Sequence, residues 1–90
     1  MRPRGSVDAI HFEIAEFPWA IRLAGRLGRS WRVVIHQRSG VTVVTAELGP
    51  TPGDLSALLR EVEAWAGEES FPAIPFEIDG KEYVLEASDD

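Results

Sequence analysis

The stretch WRVVIHQRSGVTVVTAEL, residues 31–48, decides the fold of this chain, because two strand-like runs flank a short turn signal. Residues 31–37 alternate apolar and polar side chains, which is the period of a half-buried strand. Residues 41–48 are rich in β-branched side chains, which favour strands. The intervening RSG, residues 38–40, predicts a three-residue turn that contains glycine. The stretch therefore predicts a β-hairpin.

A second hairpin and an N-terminal strand are predicted on either side of it. In FEIDGKEYVLEA, residues 76–87, the Asp-Gly pair at 79–80 is typical of a type I′ turn. Such a two-residue loop sets Glu77 opposite Glu82, and like charges opposite each other destabilise a strand pair. We therefore expect this face to be solvated or reached by an arginine. Residues 8–15 alternate in the same way and predict a further strand.

The clearest helical pattern is TPGDLSALLREVEAW, residues 51–65, in which the large apolar side chains fall on one stripe. Thr51 is a suitable N-cap, and Gly67 is expected to end the helix. The sequence thus predicts an amphipathic helix at about 52–66. The two prolines of the following segment, residues 68–75, predict an extended linker.

Residues 18–27 fit a short helix, with a strand as the alternative. Pro18 would lie in the first helical turn, where its missing N–H is not needed. Gly25 opposes the helix, since an interior glycine costs ~1 kcal/mol relative to alanine. We expect the short helix.

The element order, with its tight hairpins, predicts an α+β domain: a mostly antiparallel sheet of about five strands with the helix at 52–66 packed on it. A chain of this length forms one core, so residues 1–90 are expected to be a single domain. The termini, 1–6 and 88–90, are expected to be frayed. There is no cysteine, which excludes disulfides and thiolate chemistry. No apolar run approaches the ~18 residues of a membrane span. We expect a cytoplasmic protein with no membrane association.

The charge is divided unevenly along the chain, whose net charge is −6. Residues 1–40 hold seven arginines and three acids, whereas residues 41–90 hold two basic residues and twelve acids. Such a split is typical either of a polyanion-binding surface or of two halves that attract each other as surface ion pairs. A stripe of arginines makes nucleic-acid binding the alternative function, although the acidic pI of about 4.8 argues against it. Its members are Arg22, Arg26, Arg29 and Arg32.

Catalytic and metal-binding patterns are weak in this sequence. His11 and His36 are the two imidazoles, and both fall on the polar side of their strands. If those strands are neighbours, the two imidazoles and Glu13 could meet in a metal or catalytic set. The chain lacks the motifs of nucleophilic enzymes, zinc proteases and calcium loops. We therefore predict no enzymatic activity and no cofactor.

The predicted function is protein interaction, in the form of self-association into a homo-oligomer such as a homodimer. Two hairpins leave sheet edges, and strand edges readily pair with other chains. Trp19 and Phe71, each next to a proline, are candidates for an aromatic partner surface. The other large aromatic residues fall on the inward side of their elements and are expected in the core; they are Phe12, Trp31, Trp65, Phe76 and Tyr83.

Overall fold

A computed structural model describes residues 9–49, 53–71 and 73–86. The elements of these residues, in chain order, are β1 (Ala9–Ile14), α1 (Phe17–Leu27), β2 (Arg32–Arg38), β3 (Val41–Glu47), α2 (Asp54–Glu68), β4 (Ala73–Ile78) and β5 (Lys81–Glu86). The five strands form one sheet in the order β2-β3-β1-β4-β5. Every neighbouring pair in it is antiparallel. The predicted α+β class, with a five-stranded antiparallel sheet, is confirmed. The termini expected to be frayed lie outside the described residues.

Both helices contribute to one core, which lies on one face of the sheet. The alternating residues of β1 point into it, and Phe12 at its centre is fully buried. α1 packs over the β2 and β3 side, whereas α2 contacts α1 and β5. The buried positions of α2 follow the predicted stripe: Leu58, Val62, Trp65 and Ala66. Truncating one large side chain in such a core lowers the free energy of unfolding by about 2–5 kcal/mol, which is a large part of the total for a small domain.

The first hairpin turn is one residue shorter than predicted. Arg38 is paired with Val41, so the loop is Ser39 and Gly40 alone. Their φ angles are 52° and 81°, and a type I′ turn needs positive φ at both central positions. The prediction of a three-residue connection was wrong because serine was not expected to take the left-handed conformation. The second hairpin has the predicted register, with Glu77 opposite Glu82.

The helix boundaries differ from the predicted ones by a few residues. α2 begins at Asp54, and its N-cap is Gly53, with φ of 87°. Thr51, the predicted cap, lies outside the described residues. The helix also continues through Gly67, the predicted stop, to Glu68. The buried Trp65 and Ala66 hold this last turn against the core, and tertiary packing overrides the low propensity of glycine.

The short helix expected at residues 18–27 is confirmed as α1, and the alternative of a strand is not observed. It begins at Phe17, one residue before the predicted start, and Pro18 lies in its first turn. Gly28 is the C-cap, where a Cβ would lie 2.9 Å from the carbonyl oxygen of Ala24. Only glycine fits that approach without a shift of the backbone. Gly25 faces open space and is tolerated in the helix interior.

The predicted linker at 68–75 is wrong at both ends, because Glu68 belongs to α2 and Ala73 to Pro75 belong to β4. Pro75 is paired with Val84 of β5, whereas the pairing of β4 with β1 covers only 76–78. Proline cannot donate a ladder hydrogen bond and is tolerated where pairing on one side has ended.

The first residue of α2 joins the helix to the sheet. The Oδ2 atom of Asp54 accepts hydrogen bonds from the indole N–H of Trp31 at 3.0 Å and from the backbone N–H of Gly49 at 2.8 Å. An acidic side chain in the first helical turn also interacts favourably with the helix dipole. One carboxylate thus fixes the start of α2 against the entry of β2 and the exit of β3.

We expect Asp54→Ala to lower the free energy of unfolding by about 1–3 kcal/mol, because it leaves the partly buried indole N–H of Trp31 and the exposed N–H of Gly49 without this acceptor. Asp54→Asn keeps one acceptor oxygen and should lose less. Urea unfolding followed by circular dichroism measures both changes. An Asp54→Ala variant as stable as the parent protein would contradict this role.

Candidate functional site on the open face and edges of the sheet

The face of the sheet opposite the helices, here called the open face, brings the two histidines together. β3 lies between β2 and β1, and His11 is directly opposite Thr45 in the register. The Nδ1 atom of His11 lies 2.8 Å from the Oγ1 atom of Thr45, and the Nε2 atom of His36 lies 2.9 Å from the same oxygen. The two ring centroids are 6.4 Å apart. The two imidazoles, whose convergence the sequence left open, therefore meet across β3 although their own strands are not neighbours, and Thr45 is the residue that sequence reasoning missed.

The shared hydroxyl couples the donor and acceptor roles of the two rings. A threonine hydroxyl carries one proton, so it can donate to only one of the two imidazole nitrogens. The other ring must then donate its own N–H to Oγ1. Thr45 is only 8% exposed, so little water competes for this arrangement.

The pKa of His11 is lowered from its ordinary value, first by burial and then by the charge of Arg38. A protonated His36 would lower it further, whereas the carboxylate of Glu77 opposes the shift. The Nη1 atom of Arg38 donates to Glu77 at 3.0 Å. An arginine thus reaches the face where Glu77 stands opposite Glu82, as the sequence predicted.

Glu13, the proposed third member of the set, is exposed and lies opposite Val43. It lines the same shallow cleft of about 210 Å³ as His11, Arg38 and Glu77. Within residues 9–49, 53–71 and 73–86, no three histidine or acidic side chains are placed to hold a metal ion. Among the described residues, neither imidazole donates a hydrogen bond to a carboxylate. In this part of the chain the geometry therefore gives a histidine pair around a hydroxyl, without a carboxylate that orients either ring as a base in nucleophilic catalysis.

Two arginines of the stripe form ion pairs with acidic side chains of α2 and its C-cap. Arg26 donates to Glu61 through Nε and to Glu68 at 2.8 Å, and these bonds raise its pKa and lower that of Glu68. Arg22 lies 3.4 Å from Glu69. The basic and acidic halves of the sequence thus meet between the two helices as ion pairs. Arg29 and Arg32 are exposed. Nucleic-acid binding stays a prediction.

Trp19 and Phe71 lie together, but mostly inside the molecule. Their ring centroids are 5.0 Å apart, and the ring of Phe71 stacks on Trp65 at 5.2 Å. The guanidinium of Arg22 lies over Trp19, 4.9 Å from its ring centroid. Both candidate residues are half-buried. This cluster packs the first turn of α1 against residues at the C-terminal end of α2. Its role as a partner surface stays a prediction.

The outer strands β2 and β5 expose large apolar side chains. Val34 of β2 is 53% exposed, and Val84 of β5 is 61% exposed. Tyr83 falls on the inward side, as expected, and stacks on Phe76 at 5.5 Å. It is nevertheless 46% exposed, so its expected place in the core is wrong. The reason is the sheet order, since no strand among the described residues lies beyond β5 to shield it.

Protonation of His11 should destabilise the fold. The pKa of His11 is lower in the folded chain than in the unfolded one. The stability that follows from a neutral His11 is therefore fully present above the unfolded pKa of about 6.5 and is lost as the pH falls below it. We expect unfolding free energy to decline between neutral pH and about pH 5, and to decline less in His11→Gln. Urea unfolding across this range measures both slopes, and equal slopes would contradict the shift.

None of the helices in the described ranges has the length and apolar composition needed to cross a membrane. No family model, no curated protein and no solved structure matches this chain.

Proposed function

We propose that this domain is a protein-interaction module that binds another polypeptide along an outer strand of its sheet. The observation that carries the proposal is the exposure of Tyr83 and Val84, adjacent residues at the middle of β5. One projects on the helix side and the other on the open face, so a strand added beside β5 would cover both. Val34 offers the same feature on β2.

The backbone of such a strand supplies the binding energy. An outer strand presents a row of N–H and C=O groups that an added strand satisfies, while alternate side chains give specificity. Proteins commonly protect such edges with proline, bulges or charged residues. β5 is KEYVLE, with its charges towards its ends and no proline. Its centre, Tyr83 to Leu85, is apolar.

Other surfaces support the proposal less well. Trp19 and Phe71 already pack on Trp65 and on each other. His11 of the histidine pair lines a shallow cleft with Arg38 and Glu77, which are paired with each other. We therefore assign no catalytic step to this domain. A cytoplasmic location stays a prediction from the sequence.

Site-specific photocrosslinking tests the proposal. A photoactivatable phenylalanine analogue in place of Tyr83 should form a covalent adduct with a second polypeptide in the cells that make the protein, because the added strand lies against this position. The matched control carries the analogue in place of Ala64, an exposed residue on α2. Mass spectrometry of the adduct identifies the captured chain.

The proposal predicts adducts at position 83 and few at position 64. The absence of adducts at position 83, or equal yields at the two positions, would overturn it.

A further inference from the structure

We propose that the partner is a second copy of this chain, and that β5 of one copy pairs in parallel with β2 of the next. This inference rests on the proposed function, because it assumes that the outer strands bind other chains. It adds the identity of the partner, the direction of the added strand and its register.

The sheet topology sets the direction. Neighbouring strands alternate in direction, so β2, β1 and β5 run one way, and β3 and β4 run the other. A second copy placed beside the first, with its helices on the same side, therefore brings β2 parallel to β5. The helix layer and the open face both continue across the junction.

One register matches these two strands over five consecutive positions, residues 32–36 of β2 and 82–86 of β5. On the open face it pairs an arginine with a glutamate, two exposed valines and a histidine with a glutamate. On the helix side it pairs a valine with the half-exposed tyrosine and an isoleucine with a leucine. The pairs are Arg32 with Glu82, Val33 with Tyr83, Val34 with Val84, Ile35 with Leu85 and His36 with Glu86.

Symmetric pairings match less well. A twofold pairing of β2 with itself places Arg32 beside Arg38 at full overlap, or beside His36 in a shorter overlap that sets Val34 against Val34, and neither register pairs opposite charges. A twofold pairing of β5 with itself either places Glu82 beside Glu86 or places Glu82 beside Val84. Like charges opposite each other, or a charge against a valine, are unfavourable in a ladder. The charge split of the sequence thus reappears at the two ends of the sheet, with β2 from the basic part and β5 from the acidic part.

Such a contact is heterologous, since two different edges meet. It leaves one free β2 and one free β5 at the ends of every dimer, so assembly continues into open chains or closes into rings. Parallel pairing is slightly weaker per residue than antiparallel pairing, and we expect the assembly to depend on concentration.

Two charge variants separate this arrangement from the alternatives. Val34→Glu places an acid between Glu82 and Glu86 of the neighbouring copy. Val84→Lys places a base between Arg32 and His36 of the neighbouring copy. Both valines are more than half exposed, so the substitutions remove little buried surface. Each variant alone should remain monomeric, and an equimolar mixture should regain association, because every junction between unlike copies is then favourable.

Sedimentation velocity across a wide concentration range measures the result, with circular dichroism as the check on folding. The control is Val41→Glu, which carries the same change on the open face of the inner strand β3 and should associate like the parent. Should a valine variant fail to fold, Arg32→Glu and Glu82→Arg form a second pair for the same mixing experiment.

Three results of these association measurements would overturn the inference. The first is a parent protein that stays monomeric at every concentration. The second is one valine variant that still forms dimers while the other does not, which indicates twofold pairing of β5 where Val34→Glu associates and of β2 where Val84→Lys associates. The third is loss of association in Val41→Glu, which indicates contact through the open face. Adducts at position 83 that contain only other proteins would remove self-pairing and leave the proposed function intact.

Discussion

The constraint on which this structure depends is that two short helices can cover only one face of a five-stranded sheet. Phe12 and the buried positions of both helices form the core on that face. The open face must therefore satisfy its polar groups with its own side chains, and it does so through the Thr45 hydroxyl between two histidines and through the Arg38–Glu77 pair. Among the described residues, no buried side-chain nitrogen or oxygen lacks a hydrogen-bond partner. The limited cover that the two helices provide also leaves apolar side chains exposed on the outer strands.

The basic and acidic parts of the sequence are joined mainly by ion pairs within one chain. Arg26 from the basic part holds two acids of α2, and Arg38 spans the open face to β4. Exposed ion pairs contribute about 0–1 kcal/mol each, so they orient the helices more than they stabilise them. A basic stripe that serves this purpose has less positive charge available for a polyanion, which is why the partner proposed here is a protein.

Local patterns in the sequence predicted the helices and strands. The features that these patterns did not predict depend on contacts between residues far apart in the sequence. The period of β1, the alternating and β-branched runs of the first hairpin and the Asp-Gly turn of the second were sufficient to place five strands. Gly67 and Pro75 were misread because packing and strand order, rather than propensity, determine their conformations. The position of β1 between β3 and β4 leaves no local signal. For the same reason Thr45, one of several β-branched residues in its strand, could not be identified as the partner of both histidines.

The proposed pairing would connect the open face with the edge of the sheet through one residue. The Nε2 atom of His36 already contacts Thr45, and its strand is the outer one on that side. In that pairing the ring of His36 would lie between the Thr45 hydroxyl and a carboxylate of the neighbouring copy, Glu86. Because the hydroxyl carries a single proton, a His36 ring that donates its Nε2–H to Oγ1 leaves that proton for the Nδ1 atom of His11. Occupation of the edge would thus reach the hydrogen bonds of both imidazoles through one residue of β3.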